Sequence, residues 1–299
     1  MTVIDAHHHL WDLDGGYTWL DDPSLAPIRR TFTPAELEAE LAAAGVSHTV
    51  LVEGGRCAAD EAAVLLRHAL DTPSIAGVVA WADPVDLPLS RYRELPGAQH
   101  LVGLRAQVQA EPAGYLDRPD VRDGLLAIGA AGLAFDLVVR HDQLAEAARL
   151  ARDLPDVRFV LDHLGKPAIS SGGLDPWRRD LALLAGCPNV TAKLSGLVTE
   201  ADRTTWTAAD LAPYVRAAVE LFGPARLMFG SDWPVCLLAA SYRRVLDTMR
   251  DLLRDVLLDT DDAGRAAIFA GTATAVYRLD IGTAGDTVAP EESMRETWH

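Results

Sequence analysis

Residues 4 to 12 read IDAHHHLWD, and His7 and His9 stand two apart directly behind an apolar run. On a strand both imidazoles leave one face, which is how a strand offers two metal ligands, and His8 then faces the other way. A triple His near a chain start can also be an expression tag or a solvated turn. Here it follows Val3, Ile4 and Asp5, the start of a buried strand, and precedes Leu10 and Trp11, so its position favours a site. A third imidazole, His163, stands between FVLD and LGKP, at a strand end with Lys166 in the turn beyond it. Asp232 lies in LMFGSDWPV, where Gly230 and Pro234 bracket a carboxylate in an apolar stretch, so a sharp turn is expected. The bland roles are a ring satisfied by a backbone carbonyl for His163 and a helix or turn cap for Asp232.

Two His from one strand, a third from another and an Asp are the ligand types for one divalent ion with open positions, zinc or manganese. A metal on His7, His9, His163 and Asp232 would lower the pKa of a bound water to ~7 and leave Asp232 to accept the proton. Without metal, Asp232 would be the base that activates a water, while His163 or a cation polarises the attacked carbonyl. The residues leave both routes open. Arg105 in VGLRAQV and Lys166 in LGKP suit a carboxylate or a polyol as substrate-orienting cations. Their competing role is an ion pair with Glu53 or Asp162. Trp11 and Trp81 are read as pocket walls able to stack on a sugar ring, and Trp233 shares that reading, against plain rim packing. His48, His68 and His100 fall before or between strands and are read as structural, and His141 as a helix start on the active face.

These groups need a scaffold that brings distant strand ends together. Short β-branched apolar runs at 3–7, 48–53, 76–82, 101–106, 134–139, 158–163, 190–194 and 226–231 alternate with helix-like segments. Thr33 before Pro34 marks a cap and first turn, with Leu37, Leu41 and Ala44 at helical spacing and Gly45 as the stop. Between 141 and 154 the positions Leu144, Ala147, Ala148, Ala151 and Leu154 trace one helical face, with Asp142 as its expected cap. Strict alternation predicts a distorted single-domain (β/α)₈ barrel over residues 1–281 and a polar tail over 282–299. A doubly wound open sheet would need a phosphate loop, and no GxGxxG or Walker pattern follows any run. In a barrel, catalytic groups sit where the strands stop. The runs stop at His7 and His9, Glu53, Arg105 and Gln107, Asp162 and His163, Lys193 and Ser195, and Ser231 and Asp232.

The chain has 299 residues, of which 49% are hydrophobic and 23% charged, enough for one large core. A net charge of −16 argues against nucleic acid or an anionic membrane as partner. Cys57, Cys187 and Cys236 are scattered and lack CxxC spacing, so neither a disulfide framework nor a zinc knuckle is expected. The longest uncharged apolar stretch, 124–135, is too short to span a bilayer, and no signal peptide is evident. A cytoplasmic protein acting on a small molecule is the expectation, with a homo-oligomer left open.

The ordered blocks IDAHHHLWD, GVVAWAD (77–83), GLRAQVQ (103–109), FVLDHLGKP (159–167), KLSGL (193–197) and MFGSDWPV (228–235) resemble the amidohydrolase-related family, in its branch of sugar-lactone and dicarboxylate-lactone hydrolases. The resemblance covers nearly the whole chain. It implies a distorted (β/α)₈ barrel, His7 and His9 as the first-strand pair, His163 as the later-strand His and Asp232 as the last-strand acid. Metal amidohydrolases typically carry a bridging lysine or acid after a middle strand and a further His after the His163 strand. Here Arg105 and KLSGL stand in those places, so a binuclear centre is not expected, and metal dependence varies within the branch. The implied reaction is hydrolysis of a lactone, with a sugar aldonolactone as small-molecule substrate. Decarboxylation on a similar His and Asp set, and a barrel that merely binds a sugar acid, are the alternatives.

Overall fold

The computed structural model describes residues 2–87, 89–257 and 262–282. Apart from Gly282, the expected tail lies outside the described residues. Eight strands form one parallel sheet in chain order: β1 (Ile4–His8), β2 (His48–Val52), β3 (Ile75–Trp81), β4 (Leu101–Ala106), β5 (Ala134–Leu137), β6 (Arg158–Leu161), β7 (Val190–Leu194) and β8 (Leu227–Phe229). The sheet closes beyond β8, where Asp232 N–H donates to His7 O at 2.8 Å and His9 N–H to Trp233 O at 2.7 Å. The crossovers carry α1 (Pro34–Ala44), α2 (Glu61–Asp71), α3 (Leu89–Arg93), α4 (Pro119–Ala130), α5 (Leu144–Asp153) and α6 (Leu174–Ala185). Two helices, α7 (Leu197–Glu200) and α8 (Ala208–Phe222), separate β7 from β8. Then follow α9 (Tyr242–Val256), α10 (Asp262–Ala266) and α11 (Thr272–Tyr277). This is the expected (β/α)₈ barrel in a single domain. No helix among the described residues is long and apolar enough to cross a membrane.

The local signals explain the outer ring. Thr33 accepts from Glu36 N–H while Glu36 accepts from Thr33 N–H, a reciprocal cap on α1, and Gly45 ends the helix in the left-handed region. Helix α5 buries Leu144, Ala147, Ala148 and Ala151 as its period requires. Asp142, however, does not cap it. A short 3-10 turn, His141–Gln143, precedes the helix, and Asp142 pairs with Arg140 instead.

Apolar residues fill two places. One set packs the strands against the helices, and a smaller one, including Ile4, Val50, Val79, Val160, Met228 and Tyr277, fills the barrel interior. β5, β6 and β8 stop two residues short of their apolar runs, at Leu137, Leu161 and Phe229, and beyond β6 and β8 the chain turns into the left-handed region. His163, Leu164, Lys166 and Asp232 all have positive φ, between 51° and 59°. For L side chains such backbone is strained, and it persists where surrounding contacts hold it. Here Trp177 Nε1–H donates to Leu164 O at 2.7 Å, and Lys166 N–H to His163 O at 2.9 Å.

Candidate active site

The first strand is not regular. Asp5 aligns with Thr49 and His8 with Leu51, so β1 carries one extra residue between those pairs. That bulge breaks the two-residue alternation. Asp5 and His8 face the outer side, where Asp5 accepts from Ser231 Oγ at 2.6 Å and Tyr242 OH at 3.1 Å, and His8 Nε2 meets Thr49 Oγ1 at 3.0 Å. His7 and His9 face inward, edge to face, with ring centroids 4.9 Å apart. Asp5 also accepts from Ser231 N–H at 2.8 Å, which ties the turn carrying Asp232 to the first strand. Gly230 makes that approach possible, since a Cβ there would lie 2.6 Å from His7 Cβ.

His9 Nδ1 lies 3.0 Å from Val52 O. A carbonyl only accepts, so Nδ1 carries a proton and Nε2 faces the barrel axis. There it meets His7 Nε2 at 3.2 Å and Asp232 Oδ1 at 3.4 Å, and His7 Nε2 lies 3.7 Å from the same oxygen. Three electron-rich atoms so placed need a shared proton or a cation among them. A tetrahedral zinc with bonds of ~2.1 Å holds its ligand atoms roughly 3.4 Å apart, so the donor set fits a small divalent ion. His163 does not join this triangle. It groups instead with His7 and Asp162, its ring centroid 4.5 Å from that of His7, and its Nδ1 lies 2.9 Å from Ser195 Oγ.

Beneath the imidazoles lies an ionic layer. Lys193 is fully buried, with Nζ 2.6 Å from Asp136 Oδ2, 2.9 Å from Asp162 Oδ1 and 3.1 Å from His7 Nδ1. Tyr277 OH, from α11, donates to Asp136 at 2.7 Å. Arg105 Nε donates to Glu53 Oε1 at 2.6 Å, Nη1 to Asp162 Oδ2 at 2.9 Å and Nη2 to Glu53 O at 2.7 Å. Burial works against each charge, and the pairing outweighs it where partners are close. The Asp162 carboxyl is thus held well below its usual range by Lys193, His7 and Arg105 despite its burial. Burial drives His7 well below its ordinary value, against the pull of Asp162, and lowers His163 to about 4. Burial would raise Asp232, but His163 and His9 outweigh it and hold the carboxyl low.

Above the imidazoles opens a cavity of about 380 Å³. His9, His163 and Asp232 form part of its lining, as do Arg105 and Lys166, whose Nζ donates to Gln109 Oε1 at 2.6 Å. Trp11 and Trp81 do not line it. Trp11 is buried behind Trp19, their rings 5.5 Å apart, because its indole N–H is drawn to Arg30 O at 2.8 Å. Trp81 ends β3 beside Arg105 in register, half-buried, with its carbonyl accepting from Tyr92 OH. Trp233 is buried against Phe32. The indole in the wall is Trp19, whose Nε1–H donates to Gly54 O at 2.8 Å. It lies on a 3-10 turn that no apolar run announces. Glu200 and Gln109 were equally hidden as lining groups, whereas Asp162, Lys193 and Glu53 were visible as polar strand ends without an assigned place at the centre. His48, His68, His100 and His141 lie outside the lining.

An amidohydrolase family model matches residues 4–279. The chain belongs to the amidohydrolase family. It is 37% identical over 289 residues to an L-fucono-1,5-lactonase of Burkholderia multivorans, covering 92% of this chain and 96% of that one. An L-fucono-1,5-lactonase of Burkholderia ambifaria is 35% identical over 282 residues, covering 93% and 96%. Among solved structures, an amidohydrolase from Burkholderia multivorans with bound zinc aligns at a TM-score of 0.88 and 35% identity, over 94% of this chain and 100% of that one. This amidohydrolase therefore shares its fold with a zinc-bound relative and places two imidazoles and a carboxylate at zinc-compatible spacing.

Proposed function

We propose that this amidohydrolase hydrolyses a lactone, a sugar aldonolactone, with water as nucleophile and the open hydroxy acid as product. The observation that carries the reading is the Asp232 carboxylate, 3.4 Å from His9 Nε2, at the floor of the cavity. Kinship to two sugar lactonases supports it. Asp232 accepts the proton of the attacking water and returns it to the ring oxygen as the acyl C–O bond breaks, which yields the open hydroxy acid. A carboxylate held low is ionised throughout the neutral range but is a weak base, so it acts on a water that is already polarised. When the Ser195 hydroxyl donates to His163 Nδ1, the neutral ring carries its proton on Nε2, where it hydrogen-bonds the lactone carbonyl oxygen as negative charge develops there. Arg105 and Lys166 orient the substrate. A divalent ion, held by His7, His9 and Asp232, would supply Lewis acidity and a more acidic water; zinc or manganese suits those donors.

The test is a pH-indicator screen over aldonolactones and dicarboxylate lactones, with and without chelator. Release of one proton per ring opened is expected with at least one aldonolactone. Carbon dioxide release from an unsaturated acid, or thermal stabilisation by sugar acids without any acid release, would replace the reading with decarboxylation or simple binding.

A further inference from the structure

The two cations on the cavity differ in what they have left to give. Arg105 spends Nε, Nη1 and Nη2 on Glu53 and Asp162. Among the described residues Lys166 Nζ makes one hydrogen bond, to Gln109, which leaves two ammonium protons undirected. Glu200, the last residue of α7, lines the same cavity, half-buried and near enough to feel the Lys166 charge. Among the described residues, no hydrogen bond or ion pair engages the Glu200 carboxylate, which is left open to the cavity. Burial pushes that carboxyl above its ordinary value, with Lys166 pulling it back and Asp232 adding to the rise.

We infer that Lys166 and Glu200 act together as a donor and acceptor pair that reads a hydroxyl group of the substrate. A hydroxyl accepts from the Lys166 ammonium and donates to the Glu200 carboxylate at once, so it satisfies both. A carboxylate can only accept, and it would face Glu200 as a like charge. The inference rests on the lactonase reading and deepens it. It selects neutral polyhydroxylated lactones over carboxylate-bearing ones, and makes Glu200 a specificity-determining residue rather than one that touches the reacting atoms. Thr199 and Gln107 on the same wall extend the polar surface that such a ring would meet.

The experiment compares wild type and Glu200→Gln on three probes: a polyhydroxylated six-membered aldonolactone, unsubstituted δ-valerolactone and a carboxylate-bearing lactone. A hydrogen bond to a charged group corresponds to about tenfold to a hundredfold in discrimination. For Glu200→Gln the aldonolactone is expected to lose that factor in kcat/KM, mostly through KM, while δ-valerolactone stays within about twofold and the carboxylate-bearing lactone improves relative to wild type. Glu200→Asp should recover part of the loss, and thermal unfolding checks that both variants fold. An unchanged KM for the aldonolactone, or an equal loss on all three probes, overturns the hydroxyl-reading pair while leaving lactone hydrolysis standing. A wild type inert toward every lactone overturns both.

Discussion

Two layers of one barrel stand a few ångströms apart and are built on opposite terms. In the lower layer Lys193, Asp136, Asp162, Arg105, Glu53 and Tyr277 engage one another at 2.6–2.9 Å and are buried, Arg105 alone of them reaching the cavity. In the upper layer Asp232 Oδ1 and His9 Nε2 lie 3.4 Å apart beside the cavity, and Glu200 faces the cavity with no donor among the described residues. Closing the lower layer matters because a buried charge without its partner is destabilising, whereas a completed network holds its members in one arrangement. Leaving the upper layer open matters because groups already satisfied by the protein have nothing to offer a substrate. Lys193 and Arg105 join the layers: each pairs below while lying within 3.5 Å of His7. The orientation of His7, and through it the spacing of the candidate metal ligands, is thus set from beneath. Backbone strain follows the same division, with positive φ at Asp232, His163 and Lys166 in the upper layer.

The contrast can be broken from either side. The largest expected effect is in the open layer: Asp232→Asn should lower lactone turnover by about 10³-fold, the scale of a lost general base, while its unfolding midpoint holds, since Asn tolerates the left-handed backbone. Near wild-type turnover would remove Asp232 from the mechanism. In the closed layer the loss should instead be stability. Lys193→Met leaves Asp136 and Asp162 short of a cation and is expected to cost about 3–5 kcal/mol in denaturant unfolding; a change below 1 kcal/mol would mean that the layer is not the framework described.

A third test concerns the support of the cavity wall. Glu61 Oε1 accepts from Gly54 N–H and Tyr17 OH, both at 2.9 Å, and its other oxygen has no hydrogen-bond partner among the described residues. Burial, reinforced by Glu53, pushes this carboxyl up to about 7. The fold therefore binds the proton more tightly than the unfolded chain, so the stability contributed by this group is present at low pH and falls as pH rises from about 4.5 to 7. At about 1.4 kcal/mol per pKa unit, the fall is on the order of 3 kcal/mol. Glu61→Gln keeps the Oε1 acceptor and cannot ionise, so its stability should vary less between pH 5 and pH 8; an unaltered pH slope would rule out Glu61 as the source. The smallest effect belongs to the open layer again. Glu200→Gln should unfold within about 0.5 kcal/mol of wild type, because no protein partner is lost. A loss comparable to that of Lys193→Met would mean that Glu200 is structural.

Much of this was legible without coordinates, for local reasons. Strand and helix periods, the capping pair Thr33 and Glu36 and the stop at Gly45 act over a few residues, so the alternation and the barrel followed from them. The strand-end rule likewise marked His7, His9, Arg105, His163, Lys193 and Asp232, and the pairing of Arg105 with Glu53 and Asp162 was one of its two readings. Trp11 and Trp81 show where local reasoning stops. Their positions after strands resembled that of a pocket wall, yet the wall is Trp19, brought in by a turn whose path depends on what packs behind it.

By itself, then, the sequence determined the barrel, the end of it that carries polar groups and the inward pair His7 and His9, because each depends on alternation along a single strand. Tertiary structure alone decided that a bulge sends Asp5 outward to hold the Asp232 turn and that Asp232, not His163, completes the triangle of His7 and His9. It also decided that Lys193 lies buried under His7 across 186 residues of chain. Those outcomes depend on the register between strands and on which distant charges are desolvated together, and neither quantity exists until the barrel closes.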